Sequence, residues 1–241
     1  MLKHGPTLSK EVLASLPIFP LPNLVLLPGM ILPLNVFEAR YLDLVDHVLE
    51  CGQHIGVPLL RPGYEENYEG RPEIESVFGV GKLLSHLRLP DGRRFIRLEG
   101  LARVRLLAER DMSRSFRLVE AEPLPEDMPS ERERLEVLKA QVERLARACN
   151  RNDTETVDTV LSINDPRVFT YTVTALLPSV EMLISTALNR RMFASTPYTT
   201  FQQRCLACET TDERVSLLLE RVTGLLDVLQ SYARLPDEMY N

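Results

Sequence analysis

The chain has 241 residues, 44% of them hydrophobic, which is enough for one large domain or two small ones with a true core. A net charge of -6 at pH 7 argues against nucleic acid as the main partner. No apolar run approaches the roughly 18 residues of a membrane span. Cys51, Cys149, Cys205 and Cys208 are too few and too scattered for a disulfide framework, and the first ten residues lack the apolar core of a secretory signal. A cytoplasmic, reduced setting is expected.

Up to about Val119 the pattern is that of short strands. Pro17, Pro20, Pro22, Pro28 and Pro33 break any helix and leave extended pieces between them. Ile18 to Leu27 reads as a buried strand closed by a Pro28-Gly29 turn. One helix interrupts, because Phe37, Tyr41, Leu44, Val45 and Val48 recur at three- and four-residue steps and Gly52 is a stop signal. Ile55–Leu60 is a short buried strand. Pro90-Asp91-Gly92, between Val80–Leu89 and Arg94–Leu98, marks a hairpin, since Asp-Gly accepts the positive φ angles of such turns. Ile96 and Leu98 alternate with Arg97 and Glu99, and Val104 and Leu106 with Arg103 and Arg105, as in strands with one wet face. Short antiparallel strands bent by Gly and Pro predict a small, partly open barrel.

After the Pro-rich acidic connector Glu120–Pro129 the period becomes helical up to Leu235. Ser130 with Glu133 and Thr210 with Glu213 have the spacing of capping boxes. Leu135, Leu138, Val142, Leu145 and Cys149 form one apolar stripe. Val215, Leu218, Leu219, Val222, Leu225, Leu226 and Leu229 form a broader one. Pro166 and Pro178 are read as starts or breaks around Val168–Leu177 and Val180–Leu188. The second half is expected to be a helical bundle.

Few residues suggest chemistry. Cys205-Leu-Ala-Cys208 has the redox spacing but lies in a helical stretch with no strand before it, and no second ligand pair completes a metal site; packing is the expected role. Cys51-Gly-Gln-His54 spans a helix end and a strand start with no orienting carboxylate, and His4, His47 and His86 add no metal-ligand spacing. Gly79-Val-Gly-Lys82 fails as a phosphate loop, because position 76 is Ser and position 83 is Leu; its glycines fit a bend or bulge. Between Arg88 and Arg117 nine arginines stand against Asp91, Glu99, Glu109 and Asp111, with Phe95 and Phe116 as the aromatics. This is read as a solvated sheet face, with an acidic protein partner and RNA binding as the alternatives. The polar loop Arg61–Glu75 carries Tyr64 and Tyr68, read as exposed tyrosines on a mobile loop, able to grip a partner or equally belonging to an idle flexible loop.

The segments Leu16–Gly29, Leu32–Tyr41, His54–Leu60, Phe78–Leu84, Leu89–Arg93 and Leu98–Leu107, in that order, resemble the N-terminal domain of Lon proteases, the part that handles substrate rather than cutting it. Gln203–Leu219 is similar to the family's final helices. The form Pro-Leu-x-x-Phe-Glu-x-Arg-Tyr, Pro33 to Tyr41, looks most like stand-alone bacterial members and the Lon-like part of cereblon. The resemblance implies an α+β fold: a PUA-like β-barrel with one inserted helix over residues 1–125, then a helical bundle over 126–241. It also implies a non-catalytic, stand-alone module that binds unfolded or exposed polypeptide segments, as an adaptor for a protease or chaperone, without ATPase or protease modules. No cofactor or metal is expected. The family offers no short binding motif to transfer, so the polypeptide-binding residues are placed by position at the barrel's apolar and aromatic groups: Leu21, Phe37, Tyr41, Tyr64, Tyr68 and Phe78. Neither the natural client nor the oligomeric state leaves a readable mark.

Overall fold

In the computed structural model, which describes residues 8–110, 114–149, 154–188 and 198–233, the chain divides into two units, Met1–Pro125 and Glu126–Asn241. His4 and Asp111, named above, lie outside the described residues.

Among its described residues the first unit has a short helix α1 (Lys10–Ala14), six strands and one longer helix. In order they are β1 (Leu16–Ile18), β2 (Ile31–Val36), α2 (Ala39–Cys51), β3 (His54–Val57), β4 (Val77–Arg88), β5 (Arg94–Arg110) and β6 (Arg117–Pro123). The sheet runs β2-β5-β4-β3-β1-β6, and β5 also pairs with β6. Five strands therefore close a ring, and β2 hangs on the first half of β5, from Ile31 opposite Glu99 to Val36 opposite Arg94. Pairing is antiparallel except between β1 and β3.

Two expectations change here. The run from Ile18 to Leu27 is not one strand. Phe19 and Leu21 donate to Gly56 and Pro58 carbonyls alongside β3, but Pro20 and Pro22 have no N–H to offer, so the chain leaves the ladder. It then crosses the sheet with Leu26 and Leu27 buried. Glycines make the crossing possible: a Cβ at Gly79 would lie 2.0 Å from the Leu26 carbonyl oxygen, and one at Gly100 would lie 2.2 Å from that of Leu27. Second, the two arginine-rich strand pieces form one strand, β5, of 17 residues, bulged against β4 near Gly81 and against β6 near Leu106. The hairpin at Pro90-Asp91-Gly92 forms, with Leu89 N donating to Arg93 O at 2.8 Å. Helix α2 stops at Gly52 and buries Tyr41, Leu44, Val45 and Val48.

The second unit holds α3 (Arg132–Cys149), α4 (Thr154–Leu161), α5 (Pro166–Ala187), α6 (Tyr198–Ala207) and α7 (Thr211–Ala233). Leu135, Leu138 and Leu145 of α3 meet Phe169, Val173, Leu177 and Ile184 of α5 and Val215, Leu218, Val222 and Leu225 of α7 in one core. Pro178 does not break α5. It removes the donor that would reach the Thr174 carbonyl, and Gln202 Nε2 of α6 donates to that oxygen instead, at 3.4 Å. With the break gone, α5 is long and apolar enough to cross a membrane, contrary to the reading of the sequence as two shorter pieces. It packs into the bundle core and carries Glu181, 1% exposed, bound by Arg221 at 2.6 and 2.8 Å.

The caps divide likewise. Thr210 caps α7 through Glu213 N at 3.1 Å, and Glu213 reaches back to Glu209 N. Ser130 and Glu133 do not form a box. Asp212 at the start of α7 accepts from Ser130 N and Glu131 N, holding the approach to α3 from another helix.

Candidate functional site

The segment from Phe37 to Tyr41 joins the end of β2 to the first turn of α2, and each of its large side chains goes to a different place. Phe37 is 65% exposed. Glu38 and Arg40 pair: Arg40 Nε and Nη2 donate to Glu38 Oε2 at 3.0 and 2.7 Å. Tyr41 turns inward and stacks on Phe19 with ring centroids 4.0 Å apart. Burial pushes the Tyr41 phenol up to about 12.

The loop tyrosines are not free. Tyr68 OH donates to Glu38 Oε1 at 2.9 Å, and Arg40 Nη1 donates to the Tyr68 carbonyl at 3.1 Å. The Arg40 guanidinium lies 4.9 Å from the centre of the Tyr41 ring and 5.0 Å from that of Tyr68. Tyr64 meets Tyr68 edge-on at 6.1 Å, and both rings pack against the inner core. The expectation of exposed tyrosines on a moving loop is corrected: the Glu38–Arg40 pair pins the loop to α2.

This pinning builds a cleft of about 260 Å³. Arg40, Arg71, Arg114 and Arg117 line it, over Tyr41 and the buried Phe116. Arg117 pairs with Glu109 and donates to the Pro72 carbonyl at 2.9 Å. Arg114 lies 5.7 Å from the centre of the Phe116 ring and 3.4 Å from His47 Nδ1. Burial and the neighbouring Arg114 charge hold the His47 pKa below its ordinary value.

A second surface lies on the outer face of the sheet. Leu87 of β4 and Asn35 of β2 flank Phe95 of β5 in register. Leu87 is 60% and Phe95 41% exposed, and Phe37, 65% exposed, follows the last residue of β2. Among the described strands β2 pairs with β5 only, leaving its other edge open.

The six residues chosen from the sequence therefore separate. Tyr41 and Tyr68 line the cleft, with Tyr64 behind Tyr68. Leu21 is half-buried beside β3, bridged to Leu59. Phe37 is exposed just past the end of β2. Phe78 is fully buried in the barrel core and has no surface to present, a correction that follows from its place on the inward side of β4. Leu87 and Phe95 were not chosen from the sequence as exposed apolar residues; their alternation with inward-facing neighbours was the available signal.

The arginines of β5 and its neighbours do not form one basic face. Arg93, Arg94, Arg105, Arg110 and Arg117 each pair with a carboxylate, and Arg103 is 1% exposed. Gly79–Lys82 lies inside β4, paired on both sides, and cradles no loop. Cys205 and Cys208 are buried in the bundle, and burial pushes the Cys205 thiol up to about 12, the reverse of an activated nucleophile. Among the described residues no group of three or more His, Cys, Asp or Glu side chains is placed to hold a metal. The bundle has its own apolar cavity, about 170 Å³, between α3, α4 and α5.

The fold is that of Lon N-terminal domains. The N-terminal domain of the Lon protease from Mycobacterium avium complex superposes with a TM-score of 0.62 at 17% identity, covering 87% of this chain and 98% of that one. A Lon N-terminal domain protein from Xanthomonas campestris gives 0.55 at 23%, covering 86% and 97%. Residues 15–181 match the ATP-dependent protease La (LON) substrate-binding domain, and the chain belongs to that family. The Lon proteases of Lawsonia intracellularis and Escherichia coli K12 are 28% and 27% identical over 165 and 169 residues, 65% and 68% of this chain. The chain spans about a fifth of the length of these relatives, 19% and 21% respectively.

Proposed function

We propose that this protein is a recognition module that holds unfolded or exposed polypeptide segments and acts as an adaptor presenting them to a protease or chaperone in the cytoplasm. Membership of the substrate-binding family supports the class of partner. The observation that carries the reading is the exposed cross-strand pair of Leu87 and Phe95, with the exposed Phe37 just past the end of β2, whose second edge is unpaired among the described strands. Large apolar side chains grouped on one surface are costly to leave in water and mark contact sites. Burying each stabilises a complex by about 1.5–3 kcal/mol, less the ordering cost of a flexible ligand, so micromolar binding is expected. The open strand edge suits an extended segment, although Pro33 withholds one donor.

The test is a titration of the whole protein with a permanently unfolded, apolar-rich polypeptide. The Phe37→Ser/Phe95→Ser variant should bind at least about tenfold more weakly, since each tenfold is 1.4 kcal/mol. Its melting temperature should stay near that of the parent, because both rings are largely outside the core. Equal binding by parent and variant would remove this surface from the reading.

A further inference from the structure

We propose that the arginine-lined cleft beside α2 is a carboxylate-binding subsite, which selects polypeptide segments carrying an acidic group next to the apolar residues held on the sheet face. The inference rests on the polypeptide reading above and adds a chemical preference to it.

The cleft is built rather than incidental. Arg40 and Arg117 are each fixed twice, by a carboxylate (Glu38, Glu109) and by a backbone carbonyl (Tyr68, Pro72). Their guanidinium planes are thus set before any ligand arrives, which lowers the ordering cost of binding. Arg114 is different. It is exposed and rests on the Phe116 ring and His47, and among the described residues it makes no ion pair with a carboxylate. An arginine has five N–H donors in a fork that matches a carboxylate, so Arg114 retains donors for an incoming one. Glu69 also lines the cleft. Within the cleft lining and its ion pairs the four arginines stand against Glu38, Glu69 and Glu109, one positive charge over; Asp43, Asp46 and Glu50 lie on the other side of Arg114, where Asp46 pairs with Arg94 and Asp43 accepts from Ser115 Oγ. A single carboxylate balances that excess; the repeating charge of a nucleic acid does not. The chain as a whole carries -6, so this gathering of arginines runs against its general charge. Continuity joins the two surfaces: Phe37, exposed just past the end of β2, stands three residues before Arg40 in the cleft wall.

The experiment compares two short amidated peptides of the same apolar sequence, one with two glutamates and one with two glutamines, on the full chain at low salt. A third peptide, the glutamine sequence with a free C-terminal carboxylate, separates a chain end from a side chain as the source of the group. The glutamate peptide, or the free-acid one, should bind about tenfold more tightly than the amidated glutamine peptide. Arg114→Gln should abolish that preference while leaving the glutamine peptide's affinity unchanged, and Arg114→Lys should restore only part of it. Equal binding of all three peptides overturns the subsite and leaves the polypeptide reading standing. Preference that survives Arg114→Gln also overturns it. If no peptide binds, the polypeptide reading fails, and N-acetylglutamate amide is titrated while the backbone resonances of Tyr41, Tyr68 and Phe116 are followed. Shifts there support a carboxylate site; silence overturns it. Tighter binding of an oligouridylate, lost in Arg114→Gln, assigns the cleft to nucleic acid and likewise overturns the proposal.

Discussion

At the start of α2 one carboxylate accepts from two residues far apart in sequence: Glu38 binds Arg40 beside it and Tyr68 on the 64–70 turn. Charge-assisted bonds of this kind contribute about 1.5–3 kcal/mol each, and this pair is partly shielded from water, with side-chain exposures of 19% and 25%. Glu38→Ala should therefore destabilise the protein by about 1–3 kcal/mol and speed amide exchange over residues 64–70, as read by hydrogen-exchange mass spectrometry. No change in exchange there would mean that the loop is held by something other than this contact. His54 sets a pH response. Burial lowers its pKa most, a contact with the Gly52 backbone opposes this in part, and Lys82 across the strand pair adds a smaller lowering. The unfolded imidazole titrates near about 6.5. The unfolded chain thus takes up the proton first, and stability present above that pH is lost as the pH falls below it, with His47 adding in the same sense. Asp165 and Asp212, lowered by Arg167 and Ser130 contacts, add their loss only below about pH 4. Thermal melts from about pH 7 to 5 should show a shallower decline in His54→Gln than in the parent; parallel curves would contradict the assignment.

Among the elements, those with a local signal were legible before any coordinates. Gly52 ends α2, the Asp-Gly turn joins β4 to β5, and the stripes on α3 and α7 form one core. What was not legible depends on partners distant in sequence. Pro178 reads as a break because its missing N–H is local, whereas the Gln202 side chain that satisfies Thr174 comes from another helix. Ser130 reads as a cap because of Glu133, whereas it is Asp212 of α7 that accepts from Ser130 N. The apolar run to Leu27 reads as a strand because nothing local says that it crosses the sheet over glycines. That crossing gives a prediction at this scale. Gly79→Ala would place a methyl group 2.0 Å from a backbone oxygen that no rotamer change can move. Overpacking of this kind costs about 1–3 kcal/mol, so a lowered denaturation midpoint is expected. An unchanged midpoint would show that the Leu26 segment can lift away.

At the scale of the whole molecule, the candidate site was half legible. The Phe37–Tyr41 motif that carries the family likeness also supplies the exposed ring, the anchoring ion pair and the cleft wall. The residues facing Tyr41 across the cleft, Arg114 and Phe116, come from the approach to β6, and no spacing along the chain announces that they meet it; Leu87 had only its alternation along β4 to mark it. The central claim is that a polypeptide is held on the barrel. Hydrogen exchange of the full chain with and without an unfolded apolar polypeptide measures this directly. Protection should concentrate on 31–41 and 87–95, and the bundle should be unchanged. Protection confined to the walls of the bundle's own cavity, around Val157, Val173 and Leu177, would contradict the account.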